Sequence, residues 1–291
     1  MHDEKVSVTR RDFVRGTVGA ALGASLVAPE TLKGAPPRSS QVVLVRDSKV
    51  LLNSRDVNLE QLRLMLSEVL MRVTGKKSLK GAWLALVSPA DTVGLVPTPH
   101  LNPTHKEVES LVKATLIEAG IPAEKILQAQ GGPDRAKACT ALIALPALKA
   151  HWLTGIGTVL KNYIVYSGSP SSYHDANNAK LGEIWLMPHV QGKTRLVLVD
   201  ALRPLCDKGP QPDPRYLWDY QGLIAGTDPV AVEAVCLKII ETKRQQLRGE
   251  PWPLSPPPLC VVAADEKYGL GTSQWNEIKL EKVGWAENAL V

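Results

Sequence analysis

Short apolar runs and amphipathic segments alternate along this chain. Apolar runs at residues 42–45, 92–96, 141–145, 195–199 and 221–226 predict strands. The run at 141–145 does not alternate, and this is typical of a strand that is covered on both faces in a parallel sheet. We therefore expect at least part of the chain to form a sheet buried between layers of helices.

Helical periodicity lies between the predicted strands. One apolar stripe runs from an Asn58 cap to about Thr74 and ends at Gly75. A second follows Thr104, the predicted cap, and ends at Gly120. Further helices are predicted at 179–189, after residues 227–229 and at 259–268, with a last edge strand at 276–283. Strand, helix and strand with short connections predict an α/β fold: a mostly parallel sheet of βαβ units with helices on both faces.

The stretch from 139 to 162 carries the main candidate chemistry. Pro146 ends the apolar run, and Lys149, His151 and the pair Lys161-Asn162 follow. In open α/β sheets ligands bind at the carboxyl ends of the strands, so these basic groups are expected at that edge. The turn Thr154-Gly155-Ile156-Gly157 is predicted to open a helix whose free N–H groups favour an anion. The alternative is that the lysines are ordinary solvated side chains and His151 is a half-buried imidazole.

A polar loop at residues 98–105 follows another predicted strand and is expected at the same edge of the sheet. It contains His100 and His105, which Pro103 separates, so they do not share a helical face as the histidines of HExxH do. We expect both to be solvent-facing loop histidines. Asp200 and Asp228 each follow a strand as well, and Asp228 is either a helix cap, a pocket residue or both.

The first residues have the order of an export signal. Arg10 and Arg11 lie in a segment that resembles the twin-arginine motif, and a mildly apolar stretch follows. We expect a signal peptide at 1–28, a linker at 29–41, a single α/β domain at 42–283 and a tail at 284–291. The predicted location is periplasmic, or membrane-tethered if the signal is not cleaved, with membrane contact only through this segment; a disordered basic arm is the alternative.

The composition of the chain argues against some classes of binding partner and cofactor. The chain has 291 residues, 44% of them hydrophobic, and a net charge of +5 that is spread among acidic residues, which argues against nucleic-acid binding. The four cysteines form no CxxC pair, so this chain has no iron–sulfur or zinc-ribbon motif. Cys139 and Cys236 are expected in the core, although a disulfide is conceivable in an oxidising compartment.

Several motifs together resemble the domain of unknown function 362 family. They are LPALKAH, TGIGTVLKN, the downstream His174, VLVDAL, KGP, GLIAGTDPVAVEAV and YGLG, and the resemblance spans about 42–283. Ala150 and Glu233 stand where family members usually have Thr and Asp. The family is largely uncharacterised, and some members carry or accompany iron–sulfur domains. For this chain the resemblance implies that a partner protein would hold any cluster.

The first hypothesis is a pocket for a small anionic ligand or cofactor, with no reaction assigned. Lys149 and Lys161 would neutralise the anion, while His151 or His174 would transfer protons. Catalysis is assigned to His151, His174 and Lys149, and ligand binding to Lys149, Thr154, Gly155, Gly157, Lys161, Asn162 and Asp228.

Two alternatives stay open. One is a non-catalytic accessory or assembly partner of an exported iron–sulfur or redox complex, using the Pro-rich segments 203–215 and 250–258. The other is a divalent-metal site formed by His151, His174 and Asp200. The sequence identifies neither the metal nor any other cofactor; the twin-arginine export machinery is a further expected partner.

Overall fold

Nine of the described strands form one central sheet. The computed structural model describes residues 39–53 and 56–291, so the predicted signal peptide lies outside the described residues. The described strands are β1 (Ser40–Arg46), β2 (Leu51–Leu52), β3 (Asp56–Val57), β4 (Val93–Pro97), β5 (Ile126–Gln128), β6 (Ala141–Leu145), β7 (Ala147–His151), β8 (Gly155–Ile156), β9 (Thr194–Leu205), β10 (Gly222–Gly226) and β11 (Ile278–Gly284). Among the described strands, β2 and β3 pair with each other and form a separate two-stranded sheet.

Most neighbouring strands of the sheet run parallel. The order is β11-β1-β10-β9-β6-β4-β5, and β7 adds to β9 while β8 pairs with β7. The pairs β11–β1, β9–β6, β6–β4, β4–β5 and β7–β9 are parallel. The pairs β1–β10, β10–β9 and β7–β8 are antiparallel. The predicted α/β class with a mostly parallel sheet is therefore confirmed.

Helices cover both faces of the sheet. The described α-helices are α1 (Leu59–Thr74), α2 (Leu79–Leu86), α3 (Lys106–Ala119), α4 (Pro133–Lys137), α5 (Leu181–Trp185), α6 (Pro229–Arg248) and α7 (Leu259–Glu266). Helices α1, α2 and α3 share one apolar core with Val43 and Val45 of β1, whereas α5, α6 and α7 share the other with Val42 and Leu44. Successive strand residues point to opposite faces, so each buried strand contributes to both cores.

Local capping signals set several helix boundaries where the sequence predicts them. The Asn58 side chain accepts from the Gln61 N–H at the start of α1, and Gly75 ends the helix with a φ of 67°. The Asp228 carboxylate caps α6 by accepting from the Val230 and Ala231 N–H groups, both at 2.9 Å. Such caps contribute about 1 kcal/mol each, because they satisfy N–H groups that have no partner within the helix.

Three predicted boundaries are wrong. Thr104 does not cap α3: the cap residue is His105, and the Thr104 hydroxyl instead donates to the Leu145 carbonyl at 2.5 Å. The predicted helix at 179–189 is a 3-10 turn followed by the short α5. Strand β9 does not end at Asp200 but continues to Leu205, because its second half pairs with β7 and β10.

The four cysteines are free and buried, which confirms Cys139 and Cys236 as core residues. Within 39–53 and 56–291, no helix has both the length and the apolar character needed to cross a membrane.

Candidate functional site

Lys149 and His151 lie on strand β7 itself rather than beyond the end of the strand at 141–145. Pro146 ends β6, but the chain continues directly into β7, which runs parallel to β9 with Lys149 opposite Leu205. Because strand side chains alternate, Lys149 and His151 share one face, and Leu148 and Ala150 enter the apolar core on the other. The basic groups are therefore held by the sheet.

The turn at 154–157 forms strand β8 and does not open a helix, so that prediction is wrong. Gly155 pairs with His151 across the β7–β8 ladder, and the Gly157 N–H donates to the Lys149 carbonyl at 2.9 Å. A Cβ on Gly155, whose φ is 75°, would lie 2.6 Å from the Pro256 carbonyl oxygen. A Cβ on Gly157 would lie 2.9 Å from the His151 Cβ. Both glycines thus permit close packing, and the buried Thr154 hydroxyl donates to the Ile156 carbonyl at 2.8 Å.

A pocket of about 360 Å³ opens at the carboxyl ends of β4 and β7. It brings together residues of the 98–105 loop and the basic stretch of the chain at one edge of the sheet. Its polar lining includes His100, Lys149, His151, Lys161, Asn162 and His174. Its walls are largely apolar and include Val96, Pro97, Leu101, Ile164, Val165 and Pro210, with the exposed Trp152 ring at the rim. We call this the basic pocket.

The Lys149 ammonium is buried and bound to backbone. It donates to the Leu101 carbonyl at 2.6 Å and to the Asn102 carbonyl at 3.1 Å, leaving one N–H for another acceptor. Burial, with a smaller contribution from the Lys161 charge, lowers the pKa of Lys149 to about 7. Lys149 therefore ties the 98–105 loop to the sheet while it faces the basic pocket.

Lys161 has no such tether. It extends from the 3-10 helix Leu160–Ser167, and its ammonium forms no hydrogen bond or ion pair with any residue that the structure describes. Burial lowers the pKa of Lys161 to about 8. The neighbouring Asn162 amide donates to the Val96 carbonyl at 2.7 Å and joins the same helix to β4.

The two histidines stack beside the lysines. The rings of His151 and His174 lie 5.7 Å apart between centroids, with an interplanar angle of 11°. His151 Nδ1 accepts from the Leu153 N–H at 3.1 Å, so the neutral ring carries its proton on Nε2. Burial and the charges of Lys161, His174 and Lys149 lower the pKa of His151 to about 3.

His174 differs from His151 in its hydrogen bonding. Its Nε2 is buried and has no hydrogen-bond partner among the described residues. Burial and the Lys161 charge lower the pKa of His174, and the Asp175 carboxylate partly opposes them.

The two predicted aspartates do not line the basic pocket. Asp200 Oδ2 accepts from the His105 backbone N–H at 2.6 Å and contacts His105 Nδ1 at 2.7 Å. Asp228 caps α6 and also accepts from Ser40 Oγ at 2.5 Å and the Thr272 N–H at 3.0 Å. Asp200 is therefore not brought together with His151 and His174, and Asp228 has the capping role without the pocket role.

His105 is not the solvent-facing histidine that the sequence predicts. Its side chain is 24% exposed and is paired with the buried Asp200 carboxylate. Burial alone would lower the pKa of His105, but the charge and hydrogen bond of Asp200 outweigh it and raise the pKa. The pair fixes the first turn of α3 against β9.

The described lining of the basic pocket contains two lysine side chains and no carboxylate. No Asp or Glu is among the described residues that line it. The described part of the chain also contains no group of three or more His, Cys, Asp or Glu side chains that could hold a metal ion. The chemistry of the pocket therefore favours an anion.

Glu233 was not identified from the sequence as a site residue. It is fully buried on α6 and accepts hydrogen bonds from the Val159 and Leu160 N–H groups, at the start of the 3-10 helix that carries Lys161. Burial, partly opposed by these two bonds, raises the pKa of Glu233 to about 8. The sequence feature that could have identified Glu233 is its position as the one carboxylate among apolar residues in the run VAVEAV.

A comparison with protein families matches a part of the chain that includes most of the polar residues of the basic pocket. Residues 109–238 match a family model described as Domain of unknown function (DUF362). This match supports the domain family. It includes Lys149, His151, Lys161 and His174, whereas the 98–105 loop lies before it. No match was found among curated proteins or among solved structures.

Proposed function

We propose that this protein binds a small organic anion in the basic pocket. The observation that carries this proposal is the presence of two lysine ammonium groups, and no carboxylate, among the described residues lining one pocket. Buried charges are costly unless they are paired, and burial already lowers the pKa of both lysines. A bound anion would supply the missing counter-charge.

The donors define how the anion would be held. The Lys161 ammonium has all of its N–H groups available, Lys149 has one, and His151 presents Nε2–H. The apolar walls fit a ligand with a hydrocarbon body better than a fully polar ion such as phosphate. We therefore expect a carboxylate attached to a small apolar group.

Calorimetry tests the proposal, with isocaproate as the carboxylate that has an apolar body and inorganic phosphate as the fully polar anion for comparison. We expect isocaproate to bind and Lys161→Gln to weaken it about 10- to 100-fold, the range expected for loss of a charged hydrogen bond. Lys80→Gln, at an exposed lysine of α2, is the matched control and leaves the affinity unchanged. Equal affinities in the two variants would refute the pocket assignment.

Proton uptake gives an independent readout. An anion favours the charged form of a lysine, so binding raises the pKa values of Lys149 and Lys161. At pH 8, above the Lys149 value of about 7 and near the Lys161 value of about 8, binding then takes protons from the buffer. The observed enthalpy should depend on the ionisation enthalpy of the buffer, and an enthalpy independent of buffer would contradict this site.

We also propose export by the twin-arginine route, which the segment around Arg10 and Arg11 supports. Replacing both arginines by lysine should retain the protein in the cytoplasm, as fractionation would measure.

The role as an accessory or assembly partner has less support than the anion site. Arg244 lies 3.9 Å over the Trp252 ring and donates to the Trp252 and Pro253 carbonyls, so the 250–258 segment is packed against α6.

A further inference from the structure

We propose that Lys161 is an amine nucleophile that forms an imine with an α-keto acid bearing an apolar side chain. This inference rests on the proposed anion site and assigns a reaction to it. The substrate class follows from three features of the basic pocket: an untethered lysine, a tethered lysine and apolar walls.

The two lysines differ in a way that divides their roles. Lys149 donates to two backbone carbonyls, which hold its nitrogen in place and leave it one N–H for a ligand. Lys161 has no acceptor among the described residues and lines the same pocket. Lys149 is thus suited to bind the carboxylate of a keto acid, and Lys161 to attack the carbonyl carbon next to it.

Burial of Lys161 favours its free amine. The titratable groups that share its pocket are Lys149, His100, His151 and His174, and no described carboxylate lines it. With a pKa of about 8, roughly a tenth of Lys161 is free amine at pH 7, against about one part in 2,500 for an exposed lysine. This is roughly a 200-fold excess of the nucleophilic form, and desolvation is a known means of activating a lysine. Burial lowers the pKa of Lys149 further, to about 7, so the choice of Lys161 as the nucleophile rests on the hydrogen bonds that hold Lys149 and not on the pKa values.

The reaction is balanced without an oxidant or reductant. The Lys161 lone pair attacks the carbonyl carbon and a C–N bond forms; the nitrogen gives up one proton and the carbonyl oxygen takes one up, which gives a neutral carbinolamine. The hydroxyl then takes up a proton and leaves as water, the nitrogen gives up its second proton, and the C=N bond forms. His174 lines the same pocket and has an unpartnered Nε2, so it is placed to give and accept these protons.

Reductive trapping of the whole protein tests the inference. The protein is incubated with α-ketoisocaproate and cyanoborohydride at pH 7, and the adduct is located by intact mass spectrometry and peptide mapping. We expect one adduct per chain, on Lys161, forming at least about tenfold faster than on exposed lysines. Lys161→Arg keeps the charge and should not be trapped, while Lys80→Arg should react like the unchanged protein.

Isocaproate, which has no keto group, separates this inference from the proposed anion site. If isocaproate binds but α-ketoisocaproate leaves Lys161 unlabelled, the imine is refuted and the anion site stands. If isocaproate does not bind and no labelling occurs, both fail. Labelling of Lys149 instead of Lys161 refutes the division of roles. Circular dichroism confirms that Lys161→Arg is folded, and Lys161→Met serves as the second non-reacting variant.

Discussion

The buried Glu233 carboxyl makes the stability of this protein depend on pH. It holds the Val159 and Leu160 N–H groups, and its second oxygen, Oε1, has no hydrogen-bond partner among the described residues. We predict that Glu233→Gln stabilises the protein at neutral pH and has little effect in acid. The amide keeps one oxygen for the two N–H groups, has nearly the same volume and cannot ionise.

The magnitude follows from proton linkage. Burial raises the pKa of Glu233 from 4.5 to about 8, so between these values the native state holds a proton that the unfolded chain releases. The stability associated with this group is fully present below pH 4.5 and is lost as the pH rises through the folded pKa. The cost is about 1.4 kcal/mol per pH unit, which amounts to about 3 kcal/mol at pH 7. Removing the ionisable group recovers this amount.

Urea unfolding of Glu233→Gln and the unchanged protein at pH 5, 6, 7 and 8 measures the effect. The difference between the two free energies of unfolding isolates Glu233, because the pH dependence of the buried lysines and histidines is common to both proteins. Glu266→Gln, at an exposed position of α7, is the control and should give a difference that does not change with pH. Parallel stability curves for Glu233→Gln would refute the reasoning.

Three further changes probe the site and its support. Lys161→Met should raise the free energy of unfolding at pH 7 by about 1–3 kcal/mol, because it removes a partly buried charge that has no partner among the described residues. Calorimetry on the same variant should show that isocaproate no longer binds. Gly157→Ala should cost about 1–3 kcal/mol in urea unfolding and weaken binding, because its Cβ would lie 2.9 Å from the His151 Cβ. Asp200→Asn should cost about 1.5–3 kcal/mol at pH 6 and less at pH 9. The His105 pKa is raised in the folded state, so the stability from this pair is present below its ordinary value and lost as the pH rises through the folded value. Unfolding curves at the two pH values check the sign.

Elements with local signals could be predicted from the sequence. The Asn58 cap and the Gly75 terminus define α1, and Asp228 with Pro229 defines the start of α6, because a cap depends on only a few neighbouring residues. The run 141–145 is strand β6 because an unbroken apolar segment of that length fits a strand buried on both faces.

Strand β7 could not be predicted in the same way. Its partner, β9, lies about fifty residues further along the chain, and Pro146 suggested that the extended segment had ended. The conformation of the turn at 154–157 could not be predicted for the same reason. Gly155 is required there because the Pro256 carbonyl oxygen approaches it from about a hundred residues away. Long-range contacts of this kind leave no local pattern.

Some of the residues that line the basic pocket could be predicted from the sequence. The rule that ligands bind at strand carboxyl ends predicts these basic groups at one edge of the sheet, and Lys149, His151, Lys161 and Asn162 line one pocket. The same rule assigned Asp200 to the site, but it could not identify the His105 partner that occupies this carboxylate.

The attachment of Lys149 to the Leu101 and Asn102 carbonyls couples ligand affinity to the shape of a loop. Both residues have positive φ values, 55° and 62°, which residues other than glycine adopt at an energetic cost. An anion that draws Lys149 away would weaken the bonds that hold this strained conformation. By thermodynamic reciprocity, glycine at position 102, which does not line the pocket, should change ligand affinity without contacting the ligand. Ligand affinity can therefore be altered by a substitution in the loop alone.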